Sequence, residues 1–211
     1  MSDLVRPLTL DDAAVQLLGS IDVSECDPEV LEALQLEAAQ LSAHVRPSSP
    51  GLSPDQRAFL IESGAFTPEQ FAETEHRVAR GELREDENRT RLGTIARSYG
   101  EHTVAARLNL DRDELHKRRQ EGDLYAFDAS GITVYAKWQF TDQTHDGLLP
   151  HLSRVVTLLI EDWHPASVEG FMTVPKDSLI YRGEWQTPVQ WLLRGASPHR
   201  VEMILEGERW R

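Results

Sequence analysis

The sequence predicts a mainly α protein, a helix-turn-helix with a short β-hairpin wing followed by a C-terminal small helical bundle. Three observations predict it. Apolar residues recur at helical spacing through most of the 211 residues. Between Thr94 and Phe127 two short apolar stripes flank a tight turn and give way to strict alternation. Beyond residue 148, Pro starts and Gly stops follow one another closely, the asymmetry expected of short helices.

The chain reads as four stretches. Residues 1–50 form an acidic helical segment, in which Asp11 and Asp12 open an apolar run and Pro28 begins EVLEALQLEAAQLSAHV. Val30, Leu31, Leu34, Ala38 and Leu41 make one stripe there, suited to core packing or self-association. Pro47-Ser48-Ser49-Pro50-Gly51 breaks regular structure. Residues 51–88 form a helical linker region, with a helix begun by Ser53-Pro54 and ended at Gly64. A second begins at Thr67, the N-cap, with Pro68 at the first helical position and Gln70 closing a capping box. Phe66 and Phe71 occupy the two positions of a hydrophobic staple, and Gly81 interrupts the helix before Arg89.

Residues 89–140 carry the helix-turn-helix. Leu92, Ile95, Ala96 and Tyr99 stripe a supporting helix that Gly100 ends. Val104, Ala105 and Leu108 make the next helix, Asn109-Leu110 the turn, and Asp111 the cap of a third, with Glu114 completing an Asp-x-x-Glu box. Leu115 is the only apolar residue of that third helix. At about 100° per residue, the side opposite it presents Asp113, His116, Lys117 and Gln120, with Arg112 and Arg119 on the flanks. Such donor-rich side chains reach base edges and phosphates in a major groove. The bland alternative is a helical hairpin with a solvated charged face. Gly122 closes the helix, and Leu124–Phe127 and Ile132–Ala136 alternate around Asp128-Ala129-Ser130-Gly131 as a single hairpin.

Charge sharpens this reading. The net charge is -13, yet residues 89–127 carry 8 basic against 6 acidic side chains, whereas residues 1–88 carry 6 against 18. Neutralising phosphates takes local Lys and Arg, so a duplex must approach the middle of the chain. The pattern AARLNLDRDELHK, followed by GDL at 122–124, resembles the excisionase and MerR type of winged helix-turn-helix. Arg118 and Arg119 stand where such helices bury aliphatics, and Asp128 stands at the wing tip where a basic residue is usual.

Residues 141–211 read as a compact bundle. Leu152, Val155, Val156 and Leu159 stripe one helix, and His164-Pro165 starts a second. Thr187-Pro188 starts a third, stopped by Gly195, and Ser197-Pro198 a fourth, stopped by Gly207. The run FMTVPKDSLIYRGEWQTPVQWLLRG from Phe171 to Gly195, followed by VEMILEG to Gly207, resembles the toxin-binding domain of antitoxins of the Xre/MbcA/ParS group. That resemblance implies a partner, a RES-domain toxin that consumes NAD, held by apolar residues near Phe171 and Trp191. It also implies a C-terminal tail, with Arg209, Trp210 and Arg211, that enters the toxin's cleft. The acidic N-terminal part and the excisionase-like reader depart from the group's usual pattern.

Other chemistry is not written in the chain. Walker A, G-x-G-x-x-G, H-E-x-x-H and G-x-S-x-G patterns are absent. The histidines are scattered, and Cys26 is the only cysteine, so neither a disulfide nor a thiolate metal cluster is expected. No apolar run approaches the roughly 20 residues that span a bilayer. The expectation is therefore a cytoplasmic, cofactor-free and metal-free homodimer that is not an enzyme. It binds double-stranded operator DNA, neutralises a RES-type toxin and represses its own operon. A helix-turn-helix regulator without a toxin, using the C-terminal bundle to dimerise, is the alternative.

Overall fold

Helix starts in this chain are specified locally, and the sheets decide where helices stop. The computed structural model describes residues 12–43, 52–159 and 163–208. The protein is mainly helical, with 11 α-helices and two small antiparallel sheets among those residues. Helices α1 (Asp12–Gly19) and α2 (Pro28–Ala43) lead into α3 (Pro54–Glu62) and α4 (Pro68–Arg80). Both α3 and α4 begin with complete capping boxes, Ser53 with Gln56 and Thr67 with Gln70. The Phe66 and Phe71 rings meet edge to face at 6.0 Å, as a hydrophobic staple requires.

Gly81, at φ 78°, ends α4 and lets α5 (Glu82–Ala96) leave in a new direction. The expected continuation of α5 through Tyr99 does not occur. Ser98–Gly100 is instead strand β1, paired antiparallel with Ile132–Ala136. The Arg97 carbonyl accepts from Lys137 N–H at 3.0 Å, so ladder bonds take the groups that another helical turn would have used. Gly100 thus stands before α6 (Glu101–Leu108) and does not close α5.

Helix α7 (Arg112–Gln120) follows, then strands β2 (Ala126–Ala129) and β3 (Ile132–Ala136). The sheet order is β1-β3-β2. The hairpin turn is tighter than the sequence suggests. Ala129 pairs with Ile132, leaving Ser130 and Gly131, at φ 52° and 87°, to reverse the chain. Two consecutive positive φ values match the right-handed twist of the strands, so Asp128 stays in the ladder.

Alternation along β3 divides the interior. Val134 faces a core built with Val30, Ala33, Leu34 and Ala38 of α2 and Leu92 and Ile95 of α5. Tyr135 faces the other core, shared by Val104, Leu115, Leu124 and the C-terminal helices. The Val30–Leu41 stripe is therefore spent inside the chain, with Val30, Leu34 and Ala38 buried. Leu31 and Leu41, the other two members of the stripe, are half-buried.

Beyond a 3-10 turn at Lys137–Gln139 come α8 (Leu152–Val156) and α9 (Pro165–Thr173). The hairpin near residues 124–136 is not the only one. Strands β4 (Lys176–Tyr181) and β5 (Glu184–Gln186) form a second, turned by Arg182 and Gly183 at φ 51° and 87°. Ile180, Tyr181 and Trp185 supply the β-favouring side chains on either side of that turn. Helix α10 (Pro188–Leu193) has the third complete capping box, Thr187 with Gln190. Helix α11 (His199–Glu208) runs through Gly207, which therefore does not stop it.

Candidate nucleic-acid interface

Leu115 anchors α7 from below with no exposed surface, between Val104 of α6 and the C-terminal core. Asn109, at φ 52°, makes the left-handed turn that brings α7 across α6. The Asp111 carboxylate accepts from Glu114 N–H at 2.8 Å and fixes the first turn. The reciprocal half of the expected capping box is not made. Glu114 lies 3.8 Å from Lys117 and 3.6 Å from Arg118, charges one turn ahead that offer better partners than a backbone amide.

With Leu115 inside, Arg112, Asp113, His116, Lys117, Arg119 and Gln120 are all exposed. These six residues do not behave alike. Lys117 is 60% exposed, and Gln120 Nε2 lies 2.9 Å from His116 Nε2, holding those two side chains side by side. Arg112 is 85% exposed but donates from Nε to Glu101 at 2.6 Å. Arg119 donates to the Thr133 hydroxyl at 3.0 Å, so it ties α7 to the hairpin. Arg118 is the half-buried member, turned back to Glu114.

The hairpin tip presents no cation. The Asp128 carboxylate accepts from Gly131 N–H at 3.0 Å, and the Ser130 hydroxyl donates to Glu37 at 2.6 Å. Glu37 is buried, and Arg91 supplies its counter-charge. The tip is thereby moored to α2 and does not reach outward.

Acidic groups of α2 and the loop before it were invisible as parts of this region from sequence. Asp27 accepts from Gly100 N–H at 2.8 Å, and Glu29 from His102 N–H at 3.1 Å. Both carboxylates thus sit at the amide end of α6, where the helix dipole favours negative charge. Glu29 and Glu32 line a cleft with Glu101, His102, Arg112 and Thr133. The only sequence signal was the acid-rich start of α2.

In the C-terminal unit, Phe171 and Trp191 are core residues, 5% and 9% exposed, which corrects their expected place on a docking surface. Phe171 packs against Trp163 at 6.0 Å, and Trp191 Nε1 donates to the Ser197 carbonyl at 2.9 Å. Short helices need large apolar anchors, and these two rings serve that need. Arg209, Trp210 and Arg211 lie outside the described residues. Among the described residues of this unit, Trp185 at 64% and Tyr181 at 37%, both on the second hairpin, are the exposed aromatics.

Among the described residues no helix is long and apolar enough to cross a membrane, and no cluster of three or more His, Cys, Asp or Glu is placed to hold a metal. Comparison with known proteins finds no matching family model, curated protein or solved structure.

Proposed function

We propose that this chain is a cytoplasmic, DNA-binding antitoxin-like protein, a repressor of its own operon and not an enzyme. Its central unit reads operator DNA, as a homodimer on two half-sites, and its C-terminal unit neutralises a RES-type, NAD-consuming toxin by blocking the substrate cleft. One observation carries the DNA reading. Helix α7 is held by a single buried residue, Leu115, and exposes His116, Lys117 and Gln120 on the far side, with Arg112 at its start. Support also comes from element order. Helix, strand, two helices and a hairpin, with sheet order β1-β3-β2, follow one another in the order that a winged helix-turn-helix reading calls for, with α7 as the proposed reading helix. Asp128 and the Ser130–Glu37 bond leave the wing a supporting role, so sequence reading rests on α7 alone.

The toxin-facing half of the proposal rests on the resemblance between Phe171 and Gly207. The tail with Arg209, Trp210 and Arg211 is the segment proposed to enter the cleft.

The test is binding of the full-length chain to the duplex upstream of its own gene. Replacing Lys117 with Ala should weaken all sequences alike and flatten the salt dependence by about one unit of slope. Arg112→Ala should cost about 1–3 kcal/mol and mainly relax specificity. An Arg112→Ala/Lys117→Ala double variant that binds as the parent does would overturn the assignment of α7.

A further inference from the structure

A cleft of about 540 Å³ lies between the loop that joins α1 to α2, the second half of α5 and Lys137, within the size range of small-molecule sites. Its lining shares no residue with α7. Cys26, Gly93 and Ala96 are small residues of that lining, and the Cys26 thiol donates to the Ala96 carbonyl at 3.4 Å. Arg89 and Arg97 of α5 and Lys137 of the 3-10 turn bring three cations to the same space.

Each cation is anchored with donors to spare. Glu169 accepts from Arg97 Nε and Nη2, so that guanidinium is fixed along one edge. Its remaining Nη1 lies against Gly93, where an added Cβ would come within 3.2 Å of it. Gly93 is buried in the body of α5, a place where glycine is a poorer helix former than alanine. The missing side chain is what lets Arg97 lie back along the helix beside the cleft. The Lys137 backbone N–H donates to the Arg97 carbonyl at 3.0 Å, which keeps these two residues adjacent. The Lys137 ammonium donates to the Glu25 carbonyl at 3.2 Å, and among the described residues no carboxylate lies within 4.0 Å of it. Arg89 gives Nη1 to Asp86 at 2.9 Å. The loop also brings Asp22 and Glu25. Asp22 accepts from the Ser24 N–H and hydroxyl, at 3.0 and 2.7 Å, and neither acid pairs with a cleft cation.

We infer that this cleft binds a small phosphorylated organic molecule, with its phosphoryl group among Lys137, Arg97 and Arg89 and its organic part beside Cys26, Gly93 and Ala96. A carboxylate takes a guanidinium best through two parallel bonds, and Glu169 already occupies that edge of Arg97. What is left is single N–H donors and an ammonium on separate elements, which suits a tetrahedral group with several acceptor oxygens. Three cations against two carboxylates leave the lining positive, in a chain whose net charge of -13 otherwise repels anions. The cleft is much larger than a phosphate ion, so the ligand has an organic part.

Cys26 is the only cysteine, so its thiol reports on the cleft without engineering. The test is alkylation of Cys26 by iodoacetamide in the full-length chain, followed by mass spectrometry, with glycerol phosphate as the probe at constant ionic strength. Occupancy should slow alkylation several-fold and saturate at about 10 mM or below, whereas glycerol should not protect. Lys137→Gln and Arg89→Gln, each shown to be folded by thermal melting, should raise the half-protecting concentration by about 10-fold, the loss expected of one charge-assisted bond. Undiminished alkylation at about 10 mM probe would overturn the assignment, as would a half-protecting concentration that neither substitution moves. Glycerate, the carboxylate counterpart, should protect more weakly. If it protects as well as glycerol phosphate does, the cleft selects no phosphoryl group and the proposal fails.

Discussion

The Glu29 carboxylate accepts a hydrogen bond from the backbone N–H of His102, 3.1 Å away and 73 residues later in the chain. An acidic side chain of α2 therefore caps the helix that supports α7, and it stands in one cleft with Arg112. Negative charge at a helix N-terminus is stabilising, but the same charge repels a phosphate approaching from that side.

Duplex affinity should consequently rise when this charge is removed. Glu29→Gln/Glu32→Gln keeps oxygen acceptors while deleting two charges beside Arg112 and Glu101. By fluorescence anisotropy, binding should tighten several-fold at about 10 mM salt, where charges interact over roughly 30 Å, and the gain should shrink at physiological salt. Unchanged affinity at low salt would show that DNA does not approach this face.

Gly100 makes the same contact sterically exacting. A Cβ at this position would lie 2.1 Å from Glu29 Oε2 and 2.6 Å from Glu29 Cβ. The requirement is for space, since the backbone φ of -76° suits any residue. Gly100→Ala should destabilise the fold by about 1–3 kcal/mol, read as a lower urea midpoint at unchanged slope. Truncating Glu29 to Ala should not rescue it, because the Glu29 Cβ remains in the way.

Local signals carried the helix starts. Thr67, Thr187 and Asp111 each cap the helix their neighbours announce, because a cap and its acceptor lie within one turn. The exposed face of α7 was likewise readable, since Leu115 alone fixes its rotation. What stayed hidden depends on partners far along the chain. Tyr99 fits a helical stripe, yet pairing of Ser98 with Ala136 and of Gly100 with Val134 wins it for a strand. The Arg182-Gly183 turn lacks the usual Asn-Gly or Asp-Gly signature, so β4 and β5 went unread. Phe171 and Trp191 drew attention as large apolar residues, but sequence does not distinguish a buried anchor from an exposed one. Asp27 and Glu29 looked like solvated acids until the fold placed α6 over them.

Glu169 joins the central helix α5 to α9. It accepts from the Thr94 hydroxyl at 2.7 Å and from Arg97 at 3.0 Å, and it is 12% exposed. The guanidinium gains from this contact, since hydrogen bonding to Glu169 holds the Arg97 pKa above its ordinary value. Glu169→Ala should lower stability by about 1–3 kcal/mol, because the buried Thr94 hydroxyl loses its acceptor. Glu169→Gln, which retains an oxygen for Thr94, should cost less. Equal losses in urea unfolding would assign the effect to charge alone.

Alkaline pH should loosen the fold through Tyr125. Its hydroxyl is pushed up to about 12, chiefly by burial, with the negative charge of Glu169 adding to the shift. The ring lies between Trp138, at 5.7 Å, and Phe127, at 6.2 Å, which keep water from the phenolate that would form. In the unfolded chain the same group ionises near 10. Over the interval between these values the unfolded state binds fewer protons than the folded one, so stability falls as pH rises. The contribution is fully present below about pH 10 and is lost as pH climbs through about 12, a change of about 2–3 kcal/mol at most. Tyr135 shifts in the same direction, again chiefly by burial. Urea unfolding of the parent and of Tyr125→Phe at about pH 9 and about pH 11 separates the two tyrosines. The Phe variant should lose markedly less stability between those pH values. An identical fall in both proteins would show that Tyr125 ionises as freely in the fold as outside it.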